Sequence, residues 1–202
     1  MILALDAATS TIVLGLASPD GRILSERRLS GGRGDVLPGL LEECLMEIGA
    51  KTSDILEVVC GVGPGSFTGI RIALSFGHGL AFRRHLPYRG VSSLAAALHS
   101  PALDKNRPRV ALLDALRGEA YLRTGLGATD VRLPLADLPQ WRNDLQLVAE
   151  GRPDFLAVLP AGWLPLSDHV SVAGLVAARV GSIDPVPNYL RASAPEELRA
   201  AR

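Results

Sequence analysis

The chain of 202 residues is short of lysine, cysteine, histidine and aromatic side chains, and each shortage removes a class of chemistry. Only Lys51 and Lys105 stand beside 19 arginines, and neither follows a glycine as a phosphate-binding P-loop requires. Cys44 and Cys60 lie in apolar surroundings without Cys-x-x-Cys spacing and read as two reduced, buried thiols. His78, His85, His99 and His169 form no His-x-x-x-His pair and no cluster with cysteines or carboxylates, so no metal site is expected. The 21 basic and 21 acidic side chains cancel, which excludes a nucleic-acid binder acting through net charge alone. The longest stretch without Asp, Glu, Lys or Arg, residues 90–103, is too short to span a bilayer. Asp6 interrupts the apolar start at once and no basic segment precedes it, unlike a signal peptide. These features predict a soluble, cytoplasmic chain with no membrane contact.

What is present is an apolar, globular composition. Hydrophobic residues make up 48% of the chain, which excludes intrinsic disorder. A neutral, apolar chain is also weakly protected against association, which favours a protein that keeps a partner. Residues 2–5, 12–17 and 22–29 read as an antiparallel meander turned by Pro19-Asp20-Gly21. Asp35 is placed to cap a helix over 36–48. A strand over 56–62, a Gly-rich turn at 63–69, a helix to about Phe82, a strand at 88–91 and a helix at 92–99 follow. This order opens an α/β domain.

The second half repeats the first at an offset of 108 residues. Leu5-Asp6-Ala7 matches Leu113-Asp114-Ala115, and the strand at 12–16 matches 120–124. Two lobes, 1–100 and 101–202, are therefore expected. Ten of the 14 prolines fall in the later one, which reads as shortened and loop-rich, with a helix near 172–180 and a strand near 188–190.

The most informative stretch is GVGPGSFTGIRIALSFGHGLAF at 61–82. Gly63-Pro64-Gly65 makes a tight turn off a strand, and Ser66 or Thr68 caps the next helix. Exposed amides there could hold an anion, or the glycines could serve only close packing. A dinucleotide fingerprint fails because Ser66 stands where the third glycine is needed, and a nucleophile elbow fails because Phe67 occupies its centre. In the helix, Gly69, Ala73, Gly77 and Ala81 form a ridge of small residues, and Ile70 and Leu74 belong to an apolar remainder in which Arg71 is the only charge before Arg83. Such a helix is either wholly buried or covered by something outside the domain. Close approach of another helix is expected to offset its interior glycines. The helix at 36–48, with Val36, Leu37, Leu40, Leu41 and Cys44, has a similarly wide apolar arc. Asp6 and Asp114, ending equivalent strands, are the one carboxylate pair that could share a magnesium ion; alternatively each caps its own turn.

Asp6-Ala7-Ala8-Thr9-Ser10, GPGSFTGIR at 63–71, Leu113-Asp114-Ala115-Leu116-Arg117-Gly118-Glu119-Ala120-Tyr121 and Pro187-Asn188-Tyr189-Leu190-Arg191 occur in the order seen in the TsaB (YeaZ) family, which the chain resembles over nearly its whole length. The resemblance implies a duplicated ribonuclease-H-like fold related to actin, sugar kinases and heat-shock ATPases (the ASKHA fold), with a shortened second half. It implies a non-catalytic subunit that activates TsaD in making threonylcarbamoyladenosine next to the anticodon of tRNAs reading codons that begin with A. The implied partners are TsaD in a heterodimer, TsaE in a larger complex, a second copy when TsaD is absent, and tRNA mainly through the complex. No cofactor is implied, and the family motif loop is Gly63, Pro64, Gly65, Ser66, Phe67, Thr68, Gly69 and Arg71. The partner surface falls on the two first-half helices: Val36, Leu37, Leu40, Leu41 and Cys44, and Ile70, Ala73, Leu74, Gly77 and Ala81. Asp6 and Asp114 then become vestiges of a nucleotide–magnesium site, since Ala7-Ala8 replaces the glycine of an ATPase phosphate loop. Gly32-Arg33-Gly34-Asp35 departs from relatives, which carry a histidine there. The competing reading is a stand-alone, kinase-like nucleotide enzyme resting on Asp6 and Asp114.

Overall fold

Strands β1 (Ile2–Asp6) and β2 (Thr11–Ala17) are buried along their whole length, whereas β3 (Ile23–Ser30) alternates and carries charge, so the first two are central and the third is an edge. The computed structural model describes residues 1–31, 34–141 and 144–190. Within them the meander expected from the sequence is formed. It extends into a five-stranded sheet in the order β3-β2-β1-β4-β5, where β4 (Glu57–Gly61) and β5 (Tyr88–Val91) run parallel to β1.

The duplication is plain in the second sheet. Strands β6 (Arg109–Leu116), β7 (Glu119–Arg123), β8 (Val131–Pro134), β9 (Gln146–Glu150) and β10 (Leu164–Pro165) take the order β10-β9-β6-β7-β8. Read from its free edge, this is the first sheet's order again, with β6 paired antiparallel to β7 and parallel to β9. Asp6 and Asp114 occupy corresponding ends of β1 and β6. The shortening falls on the helices rather than the strands. Helices α1 (Leu37–Glu47) and α2 (Phe67–Arg84) cover the first sheet's outer face. The second sheet has a 3-10 turn at Leu135–Asp137 and the four-residue α4 (Pro153–Leu156) in their places.

Between the sheets lies a shared apolar layer. Helices α3 (Ser93–Leu98), α5 (Leu166–His169) and α6 (Val172–Ala178) pack there against Ile2, Ala4 and Val13 of one sheet and Ala111, Leu113 and Val148 of the other. The late helix α6 lies against β1 and β2, so the chain returns here to the first sheet. Two local expectations change. Asp35 sits in a 3-10 turn (Gly34–Val36) and does not cap α1, whose N-cap Val36 has no capping side chain. Residues 188–190 form no strand, and among the described residues the segment beyond α6 makes one β-bridge to the first sheet, between Ile183 and Gly90. Gly32, Arg33 and Arg191, named for the variant loop and the terminal motif, lie outside the described residues.

Candidate functional site

The Gly-Pro-Gly turn leaves β4 with a cis Gly63–Pro64 peptide and runs directly onto the turn that follows β1. The Ser66 amide donates to the Ala8 carbonyl at 2.7 Å, and a Cβ on Gly65 or Gly69 would overlap the Ala8 or Ala7 carbonyl. Glycine is needed there because main chain meets main chain. Ser66, not Thr68, caps α2, its hydroxyl accepting the Gly69 amide at 3.2 Å. The close-packing reading of the motif therefore has a direct structural basis. The motif occupies the flank of the Ala7-Ala8 turn. Phe67 and Thr68 are exposed. Phe67 stacks on Tyr189 with ring centroids 4.7 Å apart, and the Arg71 guanidinium lies 5.3 Å from its centroid.

Helix α2 shows two faces. Ile70, Ala73, Leu74, Gly77 and Ala81 are buried in the lobe's own core, as are Leu37, Leu41 and Cys44 of α1. A Cβ on Gly77 would come 2.5 Å from the Cys60 sulfur of β4, so the small-residue ridge lets the helix approach the sheet rather than another helix. Burial pushes the Cys60 thiol up to about 12, consistent with an inert core cysteine. Eight of the ten residues expected to meet a partner are thus turned inward, and only Val36 and Leu40 stay partly open. Ile72, Phe76 and Leu80 of α2 are half-buried against the same cluster, Arg71, Ser75, His78 and Gly79 are exposed, and Phe82 is 71% exposed at the helix end. Periodicity missed this division because apolar residues flank the buried row of α2 as well as forming it. The outward side of α1 differs again. Its Glu43 and Glu47 pair with Arg27 of β3, at 3.2 and 2.8 Å.

The two strand-end aspartates have unlike surroundings. Asp6 is fully buried and accepts from the Ala8 amide at 2.8 Å and from the Ser93 hydroxyl. Ser93 in turn accepts from the Gly63 amide at 3.2 Å, so one carboxylate ties the first turn, the motif turn and the start of α3 together. Burial raises the Asp6 carboxyl above its ordinary value, against the Ser93 and Ala8 hydrogen bonds. Asp114 accepts from the Leu116 amide at 2.7 Å and pairs with Arg152 at 2.8 Å. Burial opposes its charge, but those hydrogen bonds and the Arg152 guanidinium win and hold the carboxyl below the usual range. These donor sets do not fit a shared magnesium ion, because a cation would have to displace Ser93 from one carboxylate and an arginine from the other.

A third carboxylate escaped the sequence reading. Glu150, at the end of β9, accepts the Ser10 amide of the first lobe at 2.7 Å, while its Oε2 is buried without a partner. Burial raises its carboxyl, and the charge of Asp6 adds to the effect. Its 140-residue separation from Ser10 left no local signal. Among the described residues no three His, Cys, Asp or Glu side chains are placed to hold a metal, and no helix is long and apolar enough to cross a membrane.

The chain was compared with known proteins. Residues 34–132 match the family model for TsaD, tRNA N6-adenosine threonylcarbamoyltransferase. The tRNA threonylcarbamoyladenosine biosynthesis protein TsaB of Escherichia coli is 35% identical over 123 residues, covering 59% of this chain and 52% of that protein. An uncharacterized protein of Mycobacterium bovis is 30% identical over 94% of this chain and 91% of its own length. The structure of YeaZ from Pseudomonas aeruginosa superposes with a TM-score of 0.70 at 26% identity, covering 94% of this chain and 99% of that one. The chain spans about half the length of the curated TsaB proteins that it matches from Escherichia coli and Haemophilus influenzae (52% and 45%).

Proposed function

The chain belongs to the TsaB (YeaZ) family, whose named members are tRNA threonylcarbamoyladenosine biosynthesis proteins, and from that premise we propose that it is a non-catalytic subunit that binds and activates TsaD. The observation that carries the reading is the incompletely covered apolar margin of α2. Phe82 is exposed at the end of this 18-residue helix, and Ile72, Phe76 and Leu80, like Val36 and Leu40, are only partly buried against the core. Apolar surface of this kind gains from being covered, by roughly 25 cal/mol per Å² removed from water. The same face takes a second copy when TsaD is absent. TsaE joins the larger assembly, and tRNA is held mainly by the partners. The kinase-like reading is weaker, because the flank of the first turn is filled by the motif and both strand-end carboxylates are already engaged.

Titration of the pure chain with cognate TsaD tests this proposal. A complex at micromolar concentration or tighter is expected. Phe82→Asp and Phe76→Asp are each expected to weaken it at least about tenfold, since an unpaired charge is costly to bury. Val158→Asp, at a 63% exposed position of the second lobe, should leave it unchanged. No complex, or equal loss in all three variants, would refute the assignment.

A further inference from the structure

After α6 the chain crosses from the edge of the first sheet to the start of α2, held at both ends. At the near end Ile183 and Gly90 exchange both main-chain hydrogen bonds, at 2.9 and 3.0 Å, and Ser182 accepts from Arg89 at 3.3 Å. At the far end the Asn188 amide donates to the Val62 carbonyl at 2.8 Å, one residue before the Gly-Pro-Gly turn. Tyr189 stacks on Phe67, the first residue of α2, and Leu190 packs against the layer between the sheets. Between the anchors Pro185 and Pro187 stiffen the span. It forms one wall of a groove of about 480 Å³ whose other wall is Arg71, Ser75 and His78 of α2.

Asn188 also reaches across to the second lobe. Its side-chain amide donates to Asp130 Oδ2 at 3.0 Å, and the other Asp130 oxygen pairs with Arg123 at 3.0 Å. The Asp130 side chain is only 4% exposed, and Arg123 also donates to the Leu126 carbonyl at 2.9 Å. A buried carboxylate shared between an arginine and a carboxamide is directional, and its geometry is costly to change. One residue thus grips the motif turn by its main chain and the β7–β8 loop by its side chain.

We propose that residues 182–190 are a latch coupling the position of the second lobe to the first turn of α2. Through that turn the latch sets the outward face of α2 and the width of the groove. Its consequence for partner binding rests on the TsaD reading, whereas the coupling is a property of the chain alone. Hydrogen exchange on the isolated full chain reads it segment by segment. Asn188→Ala is expected to speed exchange about tenfold in 63–71 and 124–131 and to leave β1 and β9 unchanged. Asn188→Asp should do more, because it sets two carboxylates face to face, and adding Asp130→Asn to it should restore protection. Tyr189→Ala, which removes the ring stacked on Phe67, should loosen 63–71 alone. Unchanged exchange in Asn188→Ala, or a uniform rise over the whole chain, would overturn the latch. Failure of the wild-type chain to bind TsaD would remove the partner reading and leave the exchange result standing.

Discussion

The two lobes are built on one strand order and part company at two places: the outer face of the sheet and the end of the first strand. The first lobe lays helices of 11 and 18 residues on its outer face, and the second has a 3-10 turn and a four-residue helix there. Asp6 is sealed among neutral donors with a raised carboxyl, whereas Asp114 is paired with an arginine and has a lowered one. Sheet order persists because each central strand must satisfy its main-chain groups on both sides. Helix length and side-chain partners carry no such constraint. In the first lobe the added helices leave a partly buried apolar margin ending in the exposed Phe82, and that is where a partner is proposed to sit.

The largest expected effect tests how far the short lobe depends on one anchor. Phe155, 1% exposed, is the only buried residue of α4 and closes the outer core of the second sheet. Phe155→Ala should cost about 3–5 kcal/mol, and Ile70→Ala in the helix-rich lobe about 2–4 kcal/mol. Both are read from denaturant midpoints. Because the lobes share the layer around α3 and α6, the slope should stay that of one cooperative transition; a reduced slope in Phe155→Ala would separate the lobes.

Acid titration of stability sharpens the contrast at the strand ends. Asp6 holds its proton more tightly folded than unfolded. Its favourable contribution is therefore complete below the unfolded value near 4 and is lost as pH rises through the folded one. Asp114 has the opposite sign, contributing above the unfolded value and losing that contribution as pH falls through its lowered one. Asp6→Asn should therefore flatten the decline on the rising side, and Asp114→Asn should remove stability at neutral pH that is not recovered there. Equal pH profiles for the two variants would break the comparison. Glu150→Gln follows Asp6 in sign and should raise stability at pH 7 to 8, measured as a higher midpoint.

The smallest effect lies within α2 itself. Gly79 has open space around its would-be Cβ, unlike Gly77. Gly79→Ala should stabilise by about 0.5–1 kcal/mol through helix propensity, and Gly77→Ala should destabilise by crowding Cys60 and β4. Thermal melts of the two variants distinguish them by sign.

Much of this was legible in residue order. The strand runs of 2–29, a cap at Ser66 or Thr68 and the 108-residue repeat all depend on neighbours within a few positions, or on a pattern repeated whole. The inward turn of Leu37, Leu41, Ala73 and Gly77 was not legible, because an apolar helix does not declare which side meets the sheet. Glu150 was silent because its partner Ser10 lies in the other lobe, and Asn188, visible only as part of a motif, gave no sign of its carboxylate partner because Asp130 lies 58 residues away.

By itself, then, the sequence determined the strands, the motif turn, the duplication and the absence of a histidine pair, all of which follow from local conformational preference and residue chemistry. Tertiary structure alone decided which face of α2 is free, that Asp6 is sealed while Asp114 is paired, and that residues 182–190 return to hold the motif. Those outcomes depend on burial and on hydrogen bonds between residues 38 to 140 positions apart, and such contacts exist only once the two sheets have closed on their common layer.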